Sequence, residues 1–174
     1  EYERFYSHHG IDFQGLFAAF KDILKGHARG ASTLTQQLVK NMFRVRTQYS
    51  TGLLGKIPGV KILIMKSKEW VLAVELEMFY EKKEILTMYA NTVDFGSNAF
   101  GIKTAAKTYF NTTPKDLTAE QAAVLVGLLK APSTYNPRIN PENSIMRRNV
   151  VLDNMQKHGH LTKQEWDSIK NLPL

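Results

Sequence analysis

The spacing of the apolar residues constrains this chain more than any other feature, because it recurs at three and four positions in segment after segment. That period predicts amphipathic helices. The first predicted helical face, taken as buried, consists of Phe13, Leu16, Phe17, Phe20, Ile23 and Leu24. No stretch alternates as a strand does, and there is no repeat or low-complexity segment. We therefore predict an all-α fold.

Capping residues mark the ends of the predicted helices. We expect Asp12 to cap the first helix and Ser32 to cap the second, which carries Leu34, Leu38 and Met42 on one side. The later predicted helices are 66–80, a segment with Ile85, Leu86 and Tyr89 inward, 118–129, 141–158 and a short final one. Their signals are the Thr118–Gln121 capping box, Pro141 after Asn140, Gly159, and Thr162 with Glu165.

The segment 45–65 departs from this regular pattern. Its apolar residues are interleaved with Lys56 and Lys61 and are interrupted by Gly52, Gly55, Pro58 and Gly59. Glycine and proline argue against one long helix here. Two interpretations follow: a loop folded onto its own core, or a segment at the headgroup level of an anionic membrane.

The bulk composition limits the class of protein. Of the 174 residues, 43% are hydrophobic, none is cysteine, and the formal net charge is +7. A disulfide framework and thiolate metal sites are excluded. The positive balance predicts an anionic partner, which can be nucleic acid, anionic lipid or a phosphate-bearing substrate. No apolar run is long enough to span a bilayer. The chain starts abruptly, so we expect a fragment that lacks its anchor.

The first stretch able to carry chemistry is Glu1 to Asp12. A glutamate beside aromatic residues such as Phe5 can have its pKa raised by desolvation, which suits a general base or acid. The alternative is an exposed terminal glutamate with two surface histidines.

The second stretch, Arg29 to Asn41, is more unusual. A glycine followed by Ser32 and Thr33 at a helix start offers free backbone N–H groups to a phosphate or carboxylate. Thr33, Gln37 and Lys40 stand at i, i+4 and i+7 and share one helical face. A solvated face would more often carry opposite charges at that spacing, so we predict substrate contact.

Three further stretches are weaker signals. Lys66 and Glu69 stand at i, i+3, where a plain surface ion pair is the simpler interpretation. Asn91 follows Tyr89 near the end of a predicted helix. Arg147 and Arg148 suit a pyrophosphate through bidentate contacts, although a solvated basic turn is as common.

Taken in order, these stretches resemble the five motifs of the peptidoglycan glycosyltransferase family, found in class A penicillin-binding proteins and monofunctional transglycosylases. The matching residues are Glu1, Phe5, His8 and Gly10; Gly30 through Asn41; Lys66, Glu69, Ala73, Leu76 and Glu77; Lys82, Ile85, Leu86, Tyr89, Asn91 and Gly96; and Arg147, Arg148, Val151 and Leu152. Three positions depart from the family pattern: Tyr2 stands for Asp, Ala31 for Gly and Met65 for Arg.

The resemblance implies a lysozyme-like helical lobe with a smaller, membrane-facing jaw lobe to which 45–65 belongs, all within one domain of residues 1–174. It implies that lipid II is polymerised into β-1,4-linked glycan at the outer (periplasmic or extracellular) face of the bacterial cytoplasmic membrane. The N-terminal anchor and any C-terminal transpeptidase domain would lie outside the fragment. Expected partners are the growing strand, the membrane surface and other cell-wall synthesis proteins, but no nucleic acid.

The resemblance also assigns roles to residues. Glu1 is implied as the general base and Glu69 as the second catalytic carboxylate, which either binds a divalent metal (Mg²⁺ or Mn²⁺) or holds the lysines; no organic cofactor is implied. The implied substrate-binding residues are Phe5, His8, Ser32, Thr33, Gln37, Lys40, Asn41, Lys66, Asn91, Arg147 and Arg148.

Two rival functions stay open at this point. A lysozyme-like or lytic transglycosylase would cut finished peptidoglycan with one or two carboxylates but would have no use for a cluster of cations. A non-catalytic basic module could bind anionic membrane or nucleic acid. A penicillin-reactive transpeptidase is excluded within these residues, because no serine is followed three positions later by lysine.

Overall fold

The computed structural model describes residues 2–26, 30–43 and 58–174. These residues are mainly helical, with no named strand among them and one isolated antiparallel bridge between Asp94 and Phe100. The all-α prediction is confirmed. The chain divides into two compact units, Glu1–Thr92 and Val93–Leu174.

Five helices lie within the described residues of the first unit. They are α1 (Tyr2–Phe5), α2 (Phe13–Leu24), α3 (Leu34–Met42), α4 (Pro58–Phe79) and α5 (Lys82–Thr92). Helix α3 packs against both α4 and α5. The core of the unit forms where these three helices meet, and it includes the fully buried side chains of Leu38, Val39, Ala73 and Ile85.

The helix caps are partly as predicted. Asp12 caps α2, since its Oδ1 accepts a hydrogen bond of 2.8 Å from the Gly15 N–H. The cap of α3 is Thr33 rather than the predicted Ser32, because the helix begins one residue later, at Leu34. Thr33 has extended backbone, and its hydroxyl accepts from the N–H of Gln36 at 3.2 Å.

Helix α4 begins earlier than predicted. We expected it to start at Lys66, but it starts at Pro58 and includes Met65. Proline is well tolerated in the first helical turn, where its missing N–H has no intrahelical partner to lose. The rest of the predicted membrane-facing segment, residues 45–57, lies outside the described residues. None of the helices in the described part combines the length and the apolar character needed to cross a bilayer.

The predicted buried face of α2 is wrong. Phe13, Phe17, Phe20 and Leu24 are between 59% and 74% exposed, and Ala19 on another side of the helix is buried. Periodicity shows that residues share a face, but not which face meets the core. Met42 at the end of α3, also predicted on an apolar side, is 44% exposed.

The second unit contains α6 (Ile102–Phe110), a short 3₁₀ turn (Pro114–Asp116), α7 (Ala119–Leu128), α8 (Pro141–Lys157) and α9 (Lys163–Ile169). Helices α7 and α8 pack together closely. Both predicted capping boxes are present, as is the predicted glycine with positive φ after α8, Gly159. Helix α6 was not predicted.

Gly10 provides a test of the packing in the first unit. Its φ is +83°, and a Cβ there would lie 2.8 Å from the carbonyl carbon and oxygen of Ala73 in α4. Gly26 has a similar φ of +80° but open space around it. We expect Gly10→Ala to lower the free energy of unfolding by about 1–3 kcal/mol more than Gly26→Ala, because only the former overpacks the helix contact. Thermal and urea unfolding of both variants measure the difference, and equal losses would contradict the close approach.

Candidate active site

One face of α4 brings the motif residues of the first unit together. Lys66, Glu69, Ala73 and Glu77 stand at i, i+3, i+7 and i+11 and therefore lie along the same side of the helix. Along this side α4 meets α3 and the backbone of Gly10. These residues therefore form a line of contacts along α4, and Lys66, at one end of the line, lies next to the start of α3.

The start of α3 and the Lys66 side of this face share one polar cluster. The Lys66 ammonium donates to the Glu69 carboxylate at 2.6 Å and to the Ser32 hydroxyl at 2.8 Å. The Glu69 side chain is 2% exposed, whereas that of Lys66 is 27% exposed. The pair is therefore more than a surface ion pair, because a buried carboxylate holds a lysine whose side chain is only partly buried.

A small cavity of about 40 Å³ adjoins this cluster. Its walls are formed by Arg4, Asp12, Gly15, Gly30, Ala31, Ser32 and Thr33. Arg4 and Asp12 form an ion pair of 2.9 Å across the start of α2. Burial raises the pKa of Asp12, but the Gly15 N–H and the Arg4 guanidinium outweigh it and keep this pKa below its usual value. An ion pair with charges of both signs therefore forms part of the cavity wall.

Thr33 and Gln36 act on the backbone rather than on an open site. The Thr33 hydroxyl donates to the Gly10 carbonyl at 2.8 Å, and the Gln36 amide donates to the same oxygen at 3.0 Å. Both side chains are almost fully buried. The structure therefore gives the Thr33 side chain a capping and tethering role, and its substrate contact stays a prediction. Sequence reasoning missed Gln36, although it belongs to the twelve-residue motif, because the polar face was drawn through Gln37.

The remaining predicted ligands on α3 and α5 differ in exposure. Gln37 is half-buried and accepts a hydrogen bond of 3.2 Å from the Tyr89 hydroxyl. Lys40, Asn41 and Asn91 are exposed. The predicted shared face of Thr33, Gln37 and Lys40 thus runs from a buried cap to an exposed ammonium.

The first motif is anchored by buried aromatic rings. Phe5 is 1% exposed. Its ring packs edge-on against the His8 imidazole, with 6.3 Å between the two ring centres. His8 is also buried, and neither of its ring nitrogens has a hydrogen-bond partner. Glu1, the predicted base, lies outside the described residues, and so does the side chain of Tyr2.

The two arginines of the fifth motif have different surroundings in the second unit. Arg148 is 1% exposed, and its guanidinium donates to the backbone carbonyls of Lys170, Leu172 and Pro173 at 2.7–3.2 Å. This corrects the expectation that it contacts pyrophosphate, because its donors are used on the chain itself. Arg147 is half-buried beside the Tyr135 ring, and its Nε has no partner.

The described residues contain no ready-made cluster of metal ligands. No group of three or more histidine, aspartate or glutamate side chains with suitable geometry occurs within them. One oxygen of Glu69, Oε2, accepts the Lys66 ammonium, so Glu69 holds a lysine in this structure. Metal binding by Glu69 stays a prediction.

Comparison with known proteins agrees with the motif order and the fold. A family model described as Transglycosylase matches residues 1–156. Penicillin-binding protein 1A of Escherichia coli (strain K12) is 41% identical over 172 residues, which is 98% of this chain and 19% of that protein. Penicillin-binding protein 1F of Bacillus subtilis (strain 168) is 40% identical over 167 residues, 95% of this chain and 22% of that protein.

A solved structure of a penicillin-binding protein also matches this chain. The crystal structure of penicillin-binding protein 1A from Haemophilus influenzae is 40% identical, with a TM-score of 0.52 over 53% of this chain and 14% of that chain. The helical fold and the motif-built site define a transglycosylase domain. This chain belongs to the transglycosylase family, in the form that class A penicillin-binding proteins carry. It spans about a fifth of the length of these relatives.

The environment of His8 predicts a pH dependence of stability. Burial lowers the pKa of His8 from its usual 6.5, the Lys82 charge lowers it further, and Glu77 and Asp12 oppose the shift. Below 6.5 the unfolded state therefore binds a proton that the folded state resists. The free energy of unfolding should decline as the pH falls below 6.5, and His8→Gln should remove this part of the decline.

Urea unfolding between pH 5 and pH 8 measures the effect, with His9→Gln, a change at the exposed neighbouring histidine, as the control. An unchanged pH profile in the His8 variant would show that its imidazole is not buried as described.

Proposed function

We propose that this domain polymerises lipid II into β-1,4-linked glycan strands and releases undecaprenyl pyrophosphate. One observation carries the proposal: a partly exposed lysine, Lys66, is held by a buried carboxylate and a serine hydroxyl at the start of a helix. Such an arrangement suits a diphosphate, because the helix start and the ammonium both favour negative charge. Family membership supplies the glycan chemistry.

In the proposed reaction, Glu1 takes the proton from the acceptor 4-hydroxyl. The oxygen then attacks the anomeric carbon of the growing strand, and the bond from that carbon to the pyrophosphate oxygen breaks with inversion. The electron pair stays on the departing pyrophosphate. General-base catalysis of this kind is worth about 10²- to 10⁴-fold.

The leaving group is proposed to be stabilised by the polar cluster at the start of α3. Lys66 supplies a charge, and Ser32 and Glu69 fix the position of its ammonium, so little rearrangement is needed as charge develops. Lys40 at the exposed end of α3 and Arg147 in the second unit stay predicted ligands for the phosphates. Gln37, Asn41 and Asn91 stay predicted ligands for sugar or phosphate.

Membrane contact is proposed for the first turns of α4. Ile62 and Leu63 are 61% and 64% exposed there, and Lys61 beside them is exposed as well. Apolar side chains next to a lysine suit the headgroup region of an anionic bilayer. A lipid-linked substrate would reach the domain from that surface, on the outer face of the cytoplasmic membrane.

The lytic rival predicts the opposite substrate preference. A polymerase forms strands from lipid II alone, while a lytic enzyme leaves lipid II unchanged and cleaves finished glycan.

A divalent metal is proposed to arrive together with the pyrophosphate, since Mg²⁺ usually binds through one or two carboxylates and substrate phosphates. Lipid II assays with Mg²⁺, with Mn²⁺ and with a chelator show whether strand formation requires a metal.

We expect Lys66→Met to lower kcat for lipid II polymerisation by about 10²-fold or more, because one stabilising charge at the leaving group is lost. Glu1→Gln should lower kcat by about 10²- to 10⁴-fold. Lys103→Met removes an exposed lysine from α6 and should leave kcat unchanged. Gel or chromatographic analysis of labelled glycan measures all three, and full activity in either of the first two variants would remove that residue from the mechanism.

A further inference from the structure

Helix α4 carries a second buried carboxylate, Glu77, about two turns beyond Glu69. Its side chain is 2% exposed. One oxygen accepts the Lys82 ammonium of α5 at 2.7 Å, and the other accepts the Thr35 hydroxyl of α3 at 2.5 Å. Both carboxylate oxygens are therefore engaged, by two different helices.

Lys82 extends these contacts to the first motif. Its ammonium lies 4.6 Å from the centre of the Phe5 ring, close enough for a cation–π interaction. Phe5 belongs to α1, the helix that follows Glu1 in the sequence, and Thr35 lies in the first turn of α3, three residues after Ser32. The ion pair thus joins α4 to α5 and also contacts α1 and α3.

The Lys82 side chain is 18% exposed, so the pair is largely but not fully buried, and such an ion pair is a costly way to hold helices together. Removing two charges from water offsets most of their attraction, and well-packed apolar residues of similar volume are often as stable. A charged pair adds geometric specificity, because charge-assisted hydrogen bonds are short and fix the positions of the atoms that they join. The pair is therefore better suited to setting positions than to adding stability.

We propose that Glu77 and Lys82 are positioning residues for glycosyl transfer. Glu77 acts through Thr35 on the start of α3, where Ser32 meets Lys66. Lys82 acts through Phe5 on α1, which leads to Glu1. Together they fix α1 and the start of α3 on the α4–α5 pair, and the start of α3 is where the proposed cation for the leaving group is held. This inference rests on the proposed function, and it gives neither residue a contact with substrate.

The test compares Glu77→Leu, Lys82→Met and the double variant with wild-type protein in the lipid II assay. Matched controls lie on the same helices: Glu75→Leu on α4 and Lys83→Met on α5, both at exposed positions. Each protein is assayed below its own Tm, and rates are expressed per folded molecule.

The double variant is the informative one, because it leaves no unpaired buried charge. Its Tm should return close to that of wild-type protein. Its kcat should stay at least tenfold lower, with KM within threefold, because Thr35 and Phe5 have lost their fixed partners. Recovery of kcat together with Tm would mean a purely structural role and would overturn the proposal. So would a rise in KM alone.

Amide hydrogen exchange tests the same idea without turnover. The N–H groups of Gln36 and Gln37 bond to Thr33 at the start of α3. In the double variant their exchange should quicken at least tenfold relative to the amide of Tyr89 in α5. Equal change at all three amides would contradict local positioning. If wild-type protein makes no strands from lipid II, the proposed function fails, and the exchange result then decides whether the pair sets the position of α3.

Discussion

The first unit depends on the close approach of a glycine backbone to a helix. Gly10 lies so near Ala73 of α4 that no Cβ can stand between them, and its carbonyl oxygen accepts from both Thr33 and Gln36 of α3. A single peptide group therefore joins the loop before α2 to two helices. The Lys66–Glu69–Ser32 cluster and the Glu77–Lys82 ion pair lie on the same face of α4, on opposite sides of this contact. The contact therefore helps to position both of them.

The two acidic residues of this face of α4 differ in what surrounds the lysines that they bind. The side chains of Glu69 and Glu77 are each 2% exposed, and each binds a lysine. Their lysines differ in surroundings: the Lys66 ammonium shares a serine hydroxyl beside an open cavity, whereas the Lys82 ammonium lies over an aromatic ring. The same pair of residue types can thus hold helices in register or, in the proposed function, supply a charge to a ligand.

Some of this arrangement could be predicted from sequence and some could not. The i, i+3 spacing of Lys66 and Glu69 predicted neighbours, and the motif order predicted that the second and third motifs matter together. Caps next to a clear helix start, such as Asp12, were also predictable. The orientation of α2 was not, because a regular apolar stripe has the same period whether it packs inward or stays exposed. The backbone contacts of Thr33 and Arg148 were not predictable for a related reason: a polar side chain in a motif can bind its own backbone, and only burial reveals it.

The sharing of the Lys66 ammonium has a consequence for the end of the catalytic cycle. Two of its three N–H donors are already directed to Glu69 and Ser32, which leaves one for a phosphate oxygen. The adjacent carboxylate also cancels much of its charge at longer range. In the proposed reaction such a lysine would ease departure of the diphosphate without becoming a trap for it. In the proposed polymerisation, turnover depends on that balance, since each added unit must free the same site for the next.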